Sequence, residues 1–363
     1  MYVAAHNGAF VYGGAERATL TLLAGLQARG HRVHLFCNSP VVSGPAEEFG
    51  IAAEMALIGG DAMLPHALRF AAKLRRHRPD VLLVGTFKKM LLAAGAARLA
   101  GVPRVVARIG LETDTPRWRK YNFAIDHWVD CVVLKTEDMR RRYLDAGIDA
   151  AKLAIVPGGI ALRPRLHPPG EVRRSLGLPP GARVVGATAR LDVQKRFDRL
   201  LRAFVRLPAD VHCVLAGEGP ERAALEALAA ELGVRERVHF LGHREDVGDV
   251  LDALDLYLIT SDREGMSNSM MEALAAGVPV VSTRVSGAPD ALDPLDDGSA
   301  PGVVVGFDAG EVADAAGRIL ESPPLRAEMR AAALRRARES FSLERMLDGW
   351  EAVLSGSGVA RGG

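Results

Sequence analysis

Along the 363 residues, short apolar runs alternate with longer stretches in which apolar positions recur every three or four residues. Runs of four to six aliphatic or β-branched residues fit buried strands, and the amphipathic stretches between them fit helices covering a sheet. In the first half, strands are expected at 2–5, 32–37, 81–84, 104–107 and 131–134. In the second half they are expected at 183–187, 211–216, 238–241, 256–260, 278–282 and 302–305. A helix over 15–29, apolar at Leu20, Leu23, Ala24 and Leu26, stops at Gly30 ahead of the next strand. Strand and helix in alternation predict the α/β class, with doubly wound parallel sheets. The two series predict two Rossmann-like domains in tandem, 1–160 and 181–342, joined by a Pro- and Arg-rich connection over 161–180. Residues 343–363 are expected as a closing helix and tail.

Composition narrows this picture. With 48% hydrophobic and 25% charged residues and no low-complexity tract, the chain is not a disordered one. Its length favours two cores over one. The first eight residues lack a basic segment followed by an apolar one, and no run of eighteen apolar residues occurs. A cytoplasmic protein is expected, with any membrane association peripheral and at the inner face. Cys37, Cys131 and Cys213 each lie in or beside an apolar run, which fits buried thiols in a reducing compartment.

Charge is unevenly placed. Residues 1–160 hold 21 Lys and Arg against 14 Asp and Glu, leaving 25 against 30 in the remainder. The excess gathers at Arg69, Lys73, Arg75, Arg76, Arg78, Lys88, Lys89, Arg117, Arg119, Lys120 and Arg140 to Arg142. Such a face either meets anionic lipid or a phosphorylated acceptor, or is simply the solvated side of several helices. Nucleic acid is not expected, because no aromatic residues interleave with these charges.

Three segments carry candidate chemistry. Gly13 and Gly14 precede the first long helix, where free N–H groups and the helix dipole favour an anion, though a Gly-Gly pair there is also an ordinary loop. Arg190 and Lys195 follow the first strand of the second series, at the strand end where open sheets bind ligands. Two fixed cations there can grip a diphosphate. Glu264 and Glu272, eight apart, sit in a strand, polar loop, helix and strand unit that leaves its helix at Gly277. They would reach two parts of one extended ligand. Gly217 to Pro220, and His243 with Arg244, end two further strands, and small residues there leave room for a flat base.

The run from Glu264 to Glu272, with Ala273 to Val281 behind it, resembles the E-x7-E region of family 4 glycosyltransferases, which have the GT-B fold. Gly13 to Arg17, Arg190 with Lys195, Gly217 to Pro220, Phe240 to Gly242 and Phe341 to Met346 follow in that family's order. The resemblance spans nearly the whole chain. It implies a retaining transferase that uses a nucleotide diphosphate sugar, UDP first and GDP next, without a metal ion or other cofactor. It also implies that the closing helix crosses back onto the first domain. By the same resemblance, Arg190 and Lys195 neutralise the leaving diphosphate and Glu264 touches the donor sugar. Gly265, Met266 and Ser267 would line sugar and phosphate, and Glu272 would hold the ribose. Gly13 and Gly14 would close over the diphosphate, and the base would lie against Gly217, His243 and Arg244.

One departure concerns the acceptor side. Where many relatives carry a histidine after the fourth strand, this chain has Arg108, with Glu112 and Asp114 beyond it. His6 could serve instead, and a buried ion pair is the structural alternative for Arg108. The acceptor itself, whether glycan, lipid-linked sugar or small metabolite, is not readable. The rival functions are a sugar-nucleotide epimerase, a glycosyl phosphorylase and a non-catalytic nucleotide-sugar binding subunit.

Overall fold

The computed structural model describes residues 1–59, 64–111, 119–160, 167, 168 and 170–357, with Arg119 and Lys120 described by backbone alone. The chain divides into two compact units, one of residues 1–158 and 343–363, the other of residues 159–342.

The first unit contains β1 (Tyr2–Asn7), β2 (Arg32–Cys37), β3 (Ala53–Met55), β4 (Val81–Val84), β5 (Arg104–Arg108), β6 (Cys131–Leu134) and β7 (Leu153–Ile155). They form one sheet in the order β3-β2-β1-β4-β5-β6-β7, with every pairing parallel. β1, β4 and β6 are buried along their whole length, which is why they read as continuous apolar runs. β3 and β7 were not expected. Each is only three residues long and lies at an edge of the sheet, and Glu54 interrupts the apolar pattern of β3.

The closing helix, Leu343–Ser355, belongs to this unit. It lays Leu347, Trp350, Val353 and Leu354 into the core beside Leu22, Leu23 and Leu26 of the helix Gly14–Ala28. Gly25 lets the two helices approach, since a Cβ there would lie 2.7 Å from Leu347 Cδ2. Arg29 then donates to Asp348 and Glu351 at 2.7 Å, and His31 reaches Glu351 at 2.7 Å.

The second unit contains β8 (Arg183–Thr188), β9 (Val211–Ala216), β10 (Val238–Gly242), β11 (Leu256–Ile259), β12 (Val280–Thr283) and β13 (Gly302–Val305). Their order is β10-β9-β8-β11-β12-β13, again all parallel. Numbered from its own first strand, this sheet runs 3-2-1-4-5-6, the dinucleotide-binding order, with its reversal between β8 and β11. β12 starts two residues later than expected because Pro279 has no N–H to give the ladder; its carbonyl instead accepts from Tyr257 N at 2.8 Å. The span 161–180 is only partly connection: Glu171–Ser175 is helical, and Arg173 donates to Asp255 at 2.9 Å. The two segments that lead between the units pair with each other, Ile160 N to Phe341 O at 3.0 Å.

The three cysteines are free and buried, and burial pushes the Cys131 thiol up to about 11. Among the described residues, no helix is long and apolar enough to cross a membrane.

Candidate functional site

The reversal point of the second sheet brings Lys195 and Glu264 together. β8 ends at Thr188, and the chain then forms a loop through Arg190 to a single 3-10 turn, Val193–Lys195. Asp192 caps that turn, accepting from Lys195 N at 3.2 Å, so Lys195 is fixed by its own backbone. β11 ends at Ile259, and the residues after it carry Glu264 back over the strand ends. Lys195 Nζ forms an ion pair with Glu264 Oε1, and Ser261 Oγ donates to the same oxygen at 3.1 Å.

Glu264 is buried and the Lys195 side chain is 21% exposed. Burial works against the lysine charge, but the Glu264 carboxylate, helped by Tyr257 and Asp192, offsets it, and the Lys195 pKa lies above the ordinary value. A cleft lined by Lys195, Glu264, Thr260, Ser261, Ser267 and Ser269 opens at this point. Its floor includes Tyr257, fully buried, whose hydroxyl accepts from Thr188 N at 2.8 Å and donates to Thr188 O at 3.1 Å. Tyr257 thereby ties β11 to the end of β8.

Arg190 is exposed, and its guanidinium has no hydrogen-bond or ion-pair partner among the described residues. Its place is set by glycine. The loop after β9 runs against the loop after β8, with Leu191 N to Glu218 O at 3.0 Å and Glu221 N to Leu191 O at 3.1 Å. A Cβ at Gly217, whose φ is +148°, would lie 1.9 Å from Ala189 O, and one at Gly219 2.1 Å from Leu191 O. On the side where a Cβ would stand, the room these glycines leave is filled by backbone of the loop after β8. His243 is exposed nearby in sequence, and Arg244 is taken by Asp246 at 2.7 and 2.5 Å.

Gly265, Met266 and Ser267 are buried and lead into the helix Asn268–Ala275. Gly265 O accepts from Gly287 N at 3.2 Å, which brings the loop after β12 into the same strand-end layer. Glu272, half-buried within that helix, acts electrostatically on the Tyr257 hydroxyl.

The first unit holds the remaining candidates. Gly13 and Gly14 are exposed at the start of Gly14–Ala28, where Glu16 Oε2 accepts from Gly13 N at 3.1 Å. His6 is fully buried at the carboxyl-terminal half of β1, with Nε2 3.2 Å from Asn38 Oδ1 and Nδ1 without a partner. Burial lowers its pKa to about 4, so it is neutral. Arg108 donates to Thr19 Oγ1 at 2.5 Å. No carboxylate pairs with it among the described residues. Burial lowers its pKa to about 10, with Glu16 opposing the shift. Glu112 and Asp114 lie outside the described residues.

Sequence reasoning missed Tyr257, Ser261, Arg196, Arg199 and Asp262. The hydroxyl of Tyr257 inside an apolar run was the one available signal. Two groups of ligand-type side chains also occur among the described residues, His34 with Glu54 and His77, and His167 with Asp246 and Asp249. Neither belongs to the β8 and β11 crevice. Glu54 is engaged by Lys73 and His77, and Asp246 by Arg244.

Comparison with known proteins places this architecture. A family model described as Glycosyltransferase Family 4 matches residues 12–163, and one described as Glycosyl transferases group 1 matches residues 170–336. The 2-deoxystreptamine glucosyltransferase of Streptomyces kanamyceticus is 30% identical over 305 residues, covering 76% of this chain and 78% of that protein. The lipopolysaccharide core biosynthesis glycosyltransferase LpsE of Rhizobium meliloti is 32% identical over 229 residues, 62% of this chain and 61% of that one. Among solved structures, HepE of Anabaena in complex with UDP superposes with a TM-score of 0.87 at 20% identity, covering 98% of this chain and 100% of that chain. A Rickettsia africae glycosyltransferase gives 0.85 at 16% identity, covering 100% and 99%. The fold is the GT-B fold that the resemblance implied, and the chain belongs to the family 4 glycosyltransferases, its first unit matching the Family 4 model and its second the group 1 model.

Proposed function

We propose that the protein is a retaining glycosyltransferase that moves a sugar from a nucleotide diphosphate sugar to an acceptor hydroxyl without a metal ion. The observation that carries this reading is the Lys195 and Glu264 pair at the reversal point of the second sheet, with Arg190 exposed on the same loop and unpaired among the described residues. A half-buried ammonium already held by a carboxylate is prepared to exchange that partner for a diphosphate. Arg190 adds the second positive charge, and together they do what a divalent cation does elsewhere. Glu264, released from the lysine, then accepts hydrogen bonds from the donor sugar.

In this reading Gly265, Met266 and Ser267 present backbone to sugar and phosphate, and Glu272 accepts from the ribose hydroxyls. Gly217, His243 and Arg244 border the base, and Gly13 and Gly14 contact the diphosphate. His6, Arg108, Glu112 and Asp114 are the acceptor-side candidates. The bond from the anomeric carbon to the β-phosphate oxygen breaks, and the acceptor oxygen bonds on the same face. The departing phosphate oxygen takes the acceptor proton, so no enzyme nucleophile is required. UDP ranks first because the related HepE structures hold UDP and UDP-glucose. A glycan acceptor is the first class to try, since LpsE is named for lipopolysaccharide core biosynthesis. Peripheral contact with anionic lipid is proposed for the exposed Arg69, Arg75, Arg78 and Lys88 of the first unit.

Calorimetry with UDP, GDP, ADP and dTDP identifies the base. A panel of sugar nucleotides with EDTA present, followed by release of free nucleoside diphosphate, then tests the reaction. Epimerised donor with no nucleotide released would establish the rival enzyme. Binding without turnover against any acceptor would establish the binding subunit. Co-sedimentation with vesicles containing anionic lipid tests the basic face.

A further inference from the structure

Arg196 adopts φ +52° and ψ +46°, a left-handed conformation that side chains other than glycine rarely take. It follows Lys195 directly, so the strain sits one residue from the candidate site. Such a residue persists only where its surroundings hold it there. Here they do so through charge. Arg196 Nε and Nη2 donate to the two Asp198 oxygens at 2.9 and 3.0 Å, and Nη1 donates to both Asp262 oxygens at 3.1 and 3.0 Å.

Asp262 precedes Glu264 by two residues and has a second cation. Arg199, itself buried, donates from Nη2 to Asp262 at 2.8 Å and from Nη1 to Thr260 O at 2.6 Å. Burial works against the Asp262 carboxylate, and the two arginines overcome it, so its pKa lies below the ordinary value. The neighbouring backbone adds further rungs. Asp262 N donates to Gln194 O at 3.0 Å, Gln194 Nε2 to Arg263 O at 2.7 Å, and Thr260 Oγ1 to Arg196 O at 3.0 Å. Residues 194 and 196, on either side of Lys195, are thus each bonded to the segment 260–263 that delivers Glu264.

We propose that Arg196, Asp262 and Arg199 form a clamp of positioning residues that locks the loop after β8 to the loop after β11 and so sets the separation and angle of Lys195 and Glu264. As a statement about turnover this rests on the donor reading above; as a statement about geometry it does not. The clamp touches neither donor nor acceptor in that reading. Its effect passes through the lysine, whose placement against a leaving group is most demanding in the transition state.

The test compares Arg196→Gly, Arg196→Lys and Asp262→Asn with the wild type, by kcat, donor KM and the rate at which an amine-reactive ester acylates Lys195, read by peptide mass spectrometry. Arg196→Gly keeps the left-handed backbone without strain and removes the side chain with its guanidinium. We expect its kcat to fall roughly tenfold to a hundredfold with donor KM within about threefold, an effect in the range of misplaced catalytic groups. Lys195 should acylate several times faster in Arg196→Gly and Asp262→Asn, with Arg196→Lys between these and the wild type. An Arg196→Gly protein with wild-type kcat and a wild-type acylation rate would overturn the clamp. If the wild type releases no nucleotide from any sugar nucleotide, the donor reading fails, and the acylation rates alone still decide whether the clamp holds Lys195.

Discussion

The carboxyl ends of the two sheets occupy the same topological place and are built in opposite ways. In the second unit, β8 and β11 end in groups that satisfy one another: Lys195 with Glu264 and Ser261, Asp262 with Arg196 and Arg199, Tyr257 with Thr188. In the first unit, β1 and β5 end near groups that are poorly satisfied, His6 buried and Arg108 half-buried. His6 Nδ1 has no partner, and Arg108 has one hydroxyl and no carboxylate among the described residues. A prepared charge network suits a ligand class of fixed shape, such as a diphosphate. Unsatisfied polar groups are costly to keep.

The sharpest way to break this contrast is to remove a member of the satisfied set. Lys195→Ala is expected to cut nucleotide release by roughly a hundredfold to a thousandfold, the range seen when one charge-stabilising group is lost. Glu264→Gln should do nearly as much, and circular dichroism should find both folded. Turnover unchanged in both variants would remove the site assignment.

Next comes the glycine support of Arg190. Gly217→Ala puts a Cβ 1.9 Å from Ala189 O at φ +148°, and overpacking of this kind costs about 2 kcal/mol. The measurement is the thermal transition of the second unit, with Gly13→Ala as a control that meets nothing closer than 3.6 Å.

The first unit is probed by acid. His6 is neutral when folded, with a pKa lowered by burial to about 4, and in the unfolded chain it takes a proton near pH 6.5. Its burial is harmless above pH 6.5, and stability is then lost progressively as pH falls toward 4, by about 3 kcal/mol at the lower limit. His6→Gln should flatten the urea midpoint across that window, whereas an unchanged slope would mean His6 is not the group responsible. The smallest effect belongs to Arg29→Ala. It removes a half-exposed pairing with Asp348 and Glu351, and a loss of about 0.5 kcal/mol in urea unfolding is expected.

Most of the fold was legible because parallel strands covered on both faces are written as apolar runs, as at Val81–Val84 and Val211–Ala216. What escaped was short or half-polar: Ala53–Met55, Leu153–Ile155 and the helix Glu171–Ser175. Lys195 and Glu264 were legible as types of residue at strand ends. That they pair was not, because 69 residues separate them in sequence. The clamp was less legible still. Arginines and aspartates in a loop look like solvated surface until a left-handed backbone at Arg196 turns them toward each other. For Gly217 the structure adds a reason the sequence did not show, the close approach of the chain's own carbonyl at Ala189.

The return of Leu343–Ser355 to the first unit bears on how the molecule is made. While the ribosome is still working, residues 1–158 emerge with the groove beside Gly25 bare, and Trp350 and Leu347 arrive only after the whole second unit has been synthesised. The second unit, one continuous stretch, can complete its core first. A nascent chain stalled before residue 343 would therefore carry a finished second half and a first half with an open apolar seam.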